Sequence, residues 1–280
     1  MKNLKFYGFA VILLLGFWSC DENEPVIPCL SCNDQQVVVE PTAQKVLIEE
    51  FTGVRCVNCP AGSSEIQNLL GIHGEQMVAV SIHAGFFANP YSESREDYKT
   101  PEGNSLNDFL DFPNAYPTAS INRKVFQNEN DLQVGRNSWG GLIQQEKILF
   151  SPITLDLTVS YQSGTRQLTA TTDIQVAETV DGIYRYSVMV VENNITDVQL
   201  TPEGIEENYV HKHVLRDMMT PFNGESIDGT FIEGSTITKE HQMILPDNWV
   251  ADEISVVVFV HQDGGTGREV IQVEEAGLSE

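Results

Sequence analysis

The spacing of hydrophobic residues changes about halfway along the chain. Between Lys45 and Phe150, apolar runs long enough for buried strands, Val46–Phe51 and Met77–His83, alternate with stretches of helical spacing. Helices are predicted after Pro60, around residues 105–110 and over residues 134–150, because apolar positions recur there every three or four residues. The first two strands would be parallel if the helix between them is a right-handed crossover. This half is therefore predicted to be α/β.

After about Ser151 the pattern becomes alternation with a period of two. Such short, turn-separated strands without a helix are typical of an antiparallel β-sandwich of the immunoglobulin-like kind. The segments that show it are ITLDLTVSYQ, QLTATTDIQV, YRYSVMVVEN, STITKEHQMIL and EISVVVFVHQ. We therefore predict two domains, residues 44–149 and residues 150–280, which agrees with a length prior of roughly 150 residues per domain.

The first residues have the layout of an export signal. Two lysines precede an apolar run, and Ser19 and Cys20 close it. The run is too short for a stable membrane span, so residues 1–19 are predicted to be a signal peptide. A cysteine after a small residue resembles the lipobox of bacterial lipoproteins, which implies acylation of Cys20 and anchoring in the membrane. An ordinary signal peptide cleaved nearby is the alternative.

The segment after the signal is predicted to be a tether. Residues 20–43 contain three prolines and show no helical periodicity, so they indicate a flexible linker. The acidic DENE that follows Cys20 resembles signals that send some lipoproteins of Bacteroidetes-type bacteria to the cell surface. The chain is therefore expected to be an exported outer-membrane lipoprotein.

Net charge excludes one class of partner. Sixteen Lys and Arg against forty Asp and Glu give a formal net charge of −24. Such an excess of negative charge repels nucleic acid phosphates. We therefore expect no nucleic acid partner.

Four cysteines remain if Cys20 carries lipid, and they form two Cys-x-x-Cys pairs. These are Cys29 with Cys32 and Cys56 with Cys59. Exported proteins live where disulfides persist, so both pairs are permitted to oxidise. Three interpretations stay open for them: a redox pair, a structural staple, or one tetrahedral zinc site shared by all four, although their 23-residue separation slightly exceeds the usual spacing. A metal and a cofactor are not expected.

The position of the second pair favours redox chemistry. Cys56 is predicted at the N-terminal end of a helix that follows a buried strand, where free backbone amides and the helix dipole stabilise a thiolate. Cys59, one turn further, can then attack the mixed disulfide. This chemistry needs Cys56 to be ionised and reachable. Arg55 is expected to favour the Cys56 thiolate further.

The order of these elements resembles the thioredoxin fold. A strand, Cys-x-x-Cys-Pro, a helix, a second strand and a later Tyr-Pro-Thr all occur in that family. The resemblance implies that Pro117 is the cis-proline that packs against the cysteine pair and positions substrate. It also implies that Glu50 is the buried carboxyl that manages the proton of the inner cysteine. Alternation in the strand would bury only one of Glu49 and Glu50, and the alternative is that Glu50 faces solvent.

The whole chain resembles the Omp28-type outer membrane lipoproteins of Bacteroidetes. The lipoprotein signal, EEFTGVRCVNCP and HKHVLRDMMTP within an all-β C-terminal half carry this resemblance. Two function classes follow. The first is thiol-disulfide exchange, with thiol- or disulfide-bearing envelope or surface proteins as partners and Cys56, Cys59, Pro117 and Glu50 as the site. The second is a surface binding or adhesion lipoprotein in which the disulfides, including Cys29–Cys32, are structural.

Three histidines have weaker signals. His211 and His213 would project from one face if they lie in a strand, which is at best a partial metal site. His83, at the end of the second strand, could approach the cysteines, because the ends of parallel strands gather at one edge of a sheet. Decoration of a polar strand face is the alternative for the first two.

Overall fold

The structure is a computed structural model that describes residues 40–113, 115–227, 229–263 and 268–278. The helices are α1 (Cys59–His73), α2 (Pro101–Phe109) and α3 (Arg136–Glu146), and short 3₁₀ turns cover Gly74–Gln76, Phe86–Ala88 and Ala251–Glu253. The strands, in chain order, are β1 (Thr42–Ala43), β2 (Val46–Thr52), β3 (Met77–His83), β4 (Thr118–Ile121), β5 (Gln133–Gly135), β6 (Phe150–Ser151), β7 (Ile153–Gln162), β8 (Gln167–Val176), β9 (Tyr184–Glu192), β10 (Ile195–Thr201), β11 (Gly204–His211), β12 (Val214–Met218), β13 (Glu225–Ser226), β14 (Thr236–Ile244), β15 (Ile254–Gln262) and β16 (Val270–Gly277).

The predicted elements are confirmed with small changes of boundary. Strands β2 and β3 pair in parallel over their whole length, as the intervening helix α1 requires. Helix α1 has a proline in its first turn and Gly74 as its C-cap at φ 55°, a conformation that glycine adopts without steric cost. The strands predicted after Ser151 form β7, β8, β9, β14 and β15.

Several short elements were not predicted. The hairpin of β10 and β11, strand β12 and strand β16 lie in segments whose polar residues hide the alternation. Thr42 and Ala43, which the sequence assigned to the tether, form β1 and pair with β6. The tether prediction is therefore wrong for these two residues.

One large sheet contains strands from both sides of residue 150. Its strand order is β16-β15-β9-β12-β3-β2-β4-β5, with β13 paired to β9. Strand β12 is antiparallel to β9 and parallel to β3, so it joins the C-terminal strands to the α/β part. The chain from Val37 to Glu280 forms one compact unit.

Two hydrophobic clusters cover the two faces of the C-terminal strands. The first packs the three-stranded sheet β14-β8-β7 against β9 and β15, with Ile174 and Val258 among its members. The second contains residues from both halves, such as Phe51 and Ile82 with Leu215 and Val257. Adjacent residues of β15 point to opposite faces, so Val257 and Val258 belong to different clusters. The α/β part thus shares its core with the C-terminal strands.

Both glutamates of β2 are buried, contrary to the prediction that alternation would bury only one. Glu49 and Glu50 are each 0% exposed, because covering layers lie on both faces of the sheet. The Arg123 guanidinium holds Glu49 through two hydrogen bonds of 2.8 and 2.6 Å. Removing one partner of such a buried pair typically costs about 3–5 kcal/mol.

We expect the described chain to unfold in one transition, since its sheet and one core cluster cross residue 150. Val257→Ala, in the shared cluster, and Val258→Ala, in the C-terminal cluster, should each lower its stability by about 2 kcal/mol. Hydrogen exchange of the β2 amides should accelerate in both variants, and calorimetry should give equal calorimetric and van't Hoff enthalpies. Two separate transitions, with β2 unaffected by Val258→Ala, would instead establish independent domains.

Candidate functional site

The two cysteines of the second pair form a disulfide at the start of α1. Cys56 and Cys59 are joined, with their Cα atoms 5.3 Å apart. Cys59 is the first residue of α1, and Cys56 lies in the turn before it, where its carbonyl accepts a hydrogen bond from the Cys59 amide. The helix therefore begins at the second cysteine, with Pro60 in its first turn as predicted. Cys56 still lies next to the amides of the helix start.

Gly62 is the point at which the predicted site residues meet. A Cβ atom at Gly62 would lie 2.5 Å from Oε1 of Glu50 and 2.9 Å from the side chain of Pro117. Gly62 follows Cys59 by three residues, so it lies on the first turn of α1. The Tyr116–Pro117 peptide bond is cis. The structure thus brings the Glu50 carboxyl and Pro117 together against the turn that carries the cysteines.

Glu50 is a buried carboxyl in an almost uncharged environment. Burial raises its pKa from 4.5 to about 8, although the hydrogen bond from Ser81 acts in the opposite direction. Ser81 is the register partner of Glu50 on β3, and its hydroxyl donates to Oε2 at 3.0 Å. Oε1 has no hydrogen-bond partner within the described ranges. Glu50 can therefore hold a proton at neutral pH and release it slightly above.

A hairpin from the C-terminal half covers the cysteine loop. The Leu200 amide donates to the Val54 carbonyl at 2.8 Å, and the Gln199 side-chain amide donates to the Cys56 carbonyl at 3.1 Å. Residue exposure is 3% for Cys56 and 1% for Cys59. The predicted access of solvent to Cys56 is therefore wrong for this conformation, because β10 lies over the loop.

The guanidinium of Arg55 is directed to the insertion that follows β3. It donates to the carbonyls of Asn89 and Pro90 at 2.7 and 2.6 Å and stacks on the Tyr91 ring at 4.2 Å. Its charge is thus engaged in holding this loop. Two exposed aromatic residues of the same insertion, Phe86 and Phe87, lie nearby, and the Phe87 carbonyl accepts from the Arg55 amide.

His83 lies at the end of β3 as predicted, whereas His211 and His213 do not share a strand. His83 and His211 are buried with a ring-centroid distance of 5.5 Å, and Tyr98 contacts both. Burial lowers the pKa of His83 well below 6.5 and that of His211 to about 4. His213 lies outside a strand at φ 54°, so the expected shared face of His211 and His213 is wrong. No group of three or more metal-ligating side chains occurs among residues that the structure describes.

Some predicted residues lie outside the described part of the chain. Cys20, Cys29 and Cys32 belong to this group, so the lipid anchor and the first disulfide stay predictions. None of the helices in the described ranges is long and apolar enough to cross a bilayer.

Sequence reasoning missed three residues of the site. Gly62 carried a signal, since an isolated glycine inside a helical pattern often marks close packing. Ser81 also carried one, as the hydroxyl residue within the apolar run MVAVSIH. Gln199 had no signal, because its partners are backbone carbonyls of a loop some 140 residues earlier.

Comparison with solved structures shows which class of protein has this architecture. HBP35 of Porphyromonas gingivalis shares 19% identity at a TM-score of 0.70, over 86% of this chain and 77% of its own. A structural-genomics protein from Agrobacterium tumefaciens shares 14% identity at a TM-score of 0.52, over 85% of this chain and 96% of its own. The fold is therefore that of an existing class of mostly-β proteins with few helices.

The family follows from the sequence. Residues 112–280 match the family described as outer membrane protein Omp28. Because the match covers more than half of the chain, the protein belongs to this family, and the predicted outer-membrane location is confirmed. A domain of the outer membrane lipoprotein Omp28 from Porphyromonas gingivalis is also similar, at 17% identity over 46% of this chain and 89% of its own, but its TM-score of 0.32 is too low to compare folds. No curated protein matches the chain.

Gly62→Ala should destabilise the protein, because its new methyl group would overlap Glu50 and Pro117. Overpacking of this kind typically costs about 1–3 kcal/mol. Gly71→Ala is the matched control on the same helix. A Cβ atom added at Gly71 would meet no described neighbour within 4 Å, so alanine there should be neutral or stabilising by up to about 1 kcal/mol. Urea unfolding measures both variants, and equal stabilities would mean that Gly62 does not fix this packing.

Glu50→Gln should change how stability depends on pH. Between pH 4.5 and about 8 the unfolded carboxyl is ionised while the folded one keeps its proton, so wild-type stability falls as pH rises. The shift of about 3.5 units corresponds to at most about 5 kcal/mol. The variant should therefore gain stability over the wild type from pH 5 to pH 8.5 in urea unfolding. A difference that stays constant with pH would show that Glu50 is ionised in the folded protein.

Proposed function

We propose that the chain is an outer-membrane lipoprotein that exchanges thiols and disulfides with envelope proteins. Residues 44–149 would form a thioredoxin-like domain, followed by a β-sandwich over residues 150–280. The observation that supports this most is the meeting of Glu50, Pro117 and the Cys56–Cys59 turn at Gly62. A structural staple needs neither a buried carboxyl with a raised pKa nor a proline platform beside it.

In the reducing direction, the Cys56 and Cys59 thiols transfer two electrons to a disulfide of the partner. The Cys56 thiolate attacks a sulfur of the partner's disulfide, and the other partner sulfur departs as a thiolate. Glu50, once it has released its own proton to solvent and is a carboxylate, then accepts the proton of the Cys59 thiol, and the resulting thiolate attacks Cys56 in the mixed disulfide. The second partner sulfur departs, the partner has gained two electrons, and Cys56–Cys59 is oxidised. The same steps in reverse order oxidise the partner and reduce Cys56–Cys59.

Exchange requires movement of the hairpin β10–β11. The sulfurs are almost unexposed while Gln199 and Leu200 hold the cysteine loop. A thiolate reaches a disulfide sulfur only by direct contact, so the partner must displace these two hydrogen-bonded residues. Two neutral hydrogen bonds contribute about 1–3 kcal/mol in total, which is small enough for transient opening.

The same burial supports a second candidate function. A disulfide sealed beneath a hairpin is also what a structural staple needs. The thioredoxin-like part would then be a scaffold, and the C-terminal strands would present loops to a surface partner. The two candidates differ in the reduction potential of Cys56–Cys59 and in its accessibility.

We expect a reduction potential above roughly −250 mV for Cys56–Cys59, in the range of exchange proteins, whereas a permanent staple would fall below about −300 mV. Equilibration of the full chain with glutathione or dithiothreitol buffers, followed by alkylation of free thiols, measures it. A Cys59→Ser protein should also trap mixed disulfides through Cys56. The matched Cys56→Ser protein should trap fewer, because Cys56 is the proposed attacking thiol and Cys59 the resolving one.

The role of the hairpin is tested in the same assay. Gln199→Ala removes the amide that donates to the cysteine loop, so reduction of the disulfide by dithiothreitol should become several-fold faster. Gln242→Ala, on the exposed face of β14, is the control and should leave the rate unchanged. A staple-like potential together with no trapped partner would favour the scaffold function.

A further inference from the structure

A cavity of about 240 Å³ lies between helix α1 and the end of the hairpin. Ser63 and Gln67 of α1 form one wall, and Tyr209 of β11 and His213 form the other. Ser81 of β3 also lines it. Water needs only about 10–15 Å³ of such space and a few polar partners, so this cavity is large enough to admit it.

Ser81 connects the cavity to Glu50. Ser81 lines the cavity, and its hydroxyl donates to Oε2 of Glu50 at 3.0 Å. The Glu50 side chain is itself 0% exposed. Ser81 is thus a polar residue that touches both the carboxyl and the cavity.

Polar side chains of Gln67, Lys212 and His213 form part of the cavity wall. The Gln67 amide nitrogen lies 3.0 Å from Nε2 of His213 and can only donate, so Nε2 accepts and the ring hydrogen is assigned to Nδ1. That Nδ1 has no hydrogen-bond partner in the described part of the chain. Burial lowers the pKa of His213 to about 4, which keeps the ring neutral at neutral pH. Lys212 completes this wall by donating to Gln67 at 3.1 Å.

We propose that this cavity is the route by which protons pass between Glu50 and solvent, and that Ser81 is the positioning residue that links them. The Ser81 hydroxyl first turns its hydrogen from Oε2 towards water in the cavity. Glu50, with its proton on Oε2, then gives that proton to the Ser81 oxygen while the hydroxyl passes its own hydrogen to the water as a proton. The hydroxyl finally rotates back to donate to the carboxylate. The titratable or charged groups around the route are Glu50 in β2, the cysteines at α1, Tyr209 in β11, and Lys212 and His213 after it.

The route borders strand β11 of the hairpin, whereas residues of strand β10 cover the cysteine loop. The hairpin residues Gln199 and Leu200, or a partner in their place, cover the cysteine loop on its own side. A proton taken from Cys59 during exchange would therefore have no exit there. The cavity lets Glu50 release this proton and return to the carboxylate form while the cysteine loop stays covered. This use of the proton rests on the proposed function, but the route itself does not.

The route is tested by hydrogen–deuterium exchange of the Glu50 carboxyl in the oxidised full chain near pH 6. The infrared carbonyl band of the protonated carboxyl is assigned by its loss in Glu50→Gln. Ser64→Phe adds an aromatic ring at the exposed edge of the cavity, and exchange should become about tenfold slower because it must then await local opening. Asn68→Phe, one turn further along α1 and outside the cavity lining, is the control. Equal exchange rates in the two variants would overturn the route.

Ser81 is tested in the same measurement and by titration of the ¹³C-labelled Glu50 carboxyl. Ser81→Ala should slow exchange and raise the pKa of Glu50, because it removes a hydrogen bond that favours the carboxylate. Ser81→Thr keeps a hydroxyl and should restore both values towards the wild type. Ser120→Ala removes the analogous hydroxyl that donates to Glu49 at 2.9 Å and should change neither. A Ser81→Ala protein that behaves like Ser120→Ala would remove Ser81 from the route.

These measurements need no turnover, so they separate the route from the proposed function. Slow exchange in Ser64→Phe combined with a staple-like reduction potential would leave the route standing and overturn the redox function. A reduction potential in the range of thiol-disulfide exchange proteins, combined with equal hydrogen–deuterium exchange of the Glu50 carboxyl in Ser64→Phe and Asn68→Phe, would overturn the route. It would leave the proposed redox function standing.

Discussion

The pairing of β12 with β3 is the interaction on which the rest of the structure depends. Val214 lies opposite Ser81 in parallel register, and the Ser81 amide donates to the His213 carbonyl at 2.7 Å. This short contact joins the C-terminal strands to the α/β part in one sheet. Because β12 follows the hairpin β10–β11 directly, its position also fixes where the hairpin lies. The cover over the cysteines and the wall of the cavity both follow from this pairing.

Two neighbouring carboxyls in β2 show how local environment divides chemical roles. Glu49 is held by the Arg123 guanidinium and the Ser120 hydroxyl, so its charge is compensated inside the protein. Among the residues that the structure describes, only the Ser81 hydroxyl donates to Glu50, and burial raises the pKa of Glu50 to about 8. A carboxyl locked in an ion pair is a poor proton acceptor, whereas one with a pKa near the working pH is a good one. The chemistry of the site is thus assigned to Glu50 by its surroundings.

Burial of the disulfide links fold and function. The Omp28 family is an outer-membrane family, and a protein in the envelope meets oxidising conditions and many exported partners. A hairpin over the cysteines would limit exchange to partners able to displace Gln199 and Leu200. It would also protect the pair from small oxidants and reductants. The fold shared with HBP35 shows that this arrangement of strands occurs in another protein.

The sequence by itself determined the elements that local physics controls. Apolar runs predicted β2 and β3, Pro60 predicted the start of α1, and period-two alternation predicted five of the C-terminal strands, β7, β8, β9, β14 and β15. It also drew attention to Cys56, Cys59, Glu50 and Pro117. Only the tertiary structure decided which residues surround them: Ser81 reaches Glu50 through strand register, and Gln199 reaches the cysteine loop through a hairpin 143 residues away. The spacing of residues along a chain reflects helix and strand periods. Contacts between distant segments depend instead on how whole layers pack. This packing buried both glutamates and covered the cysteines.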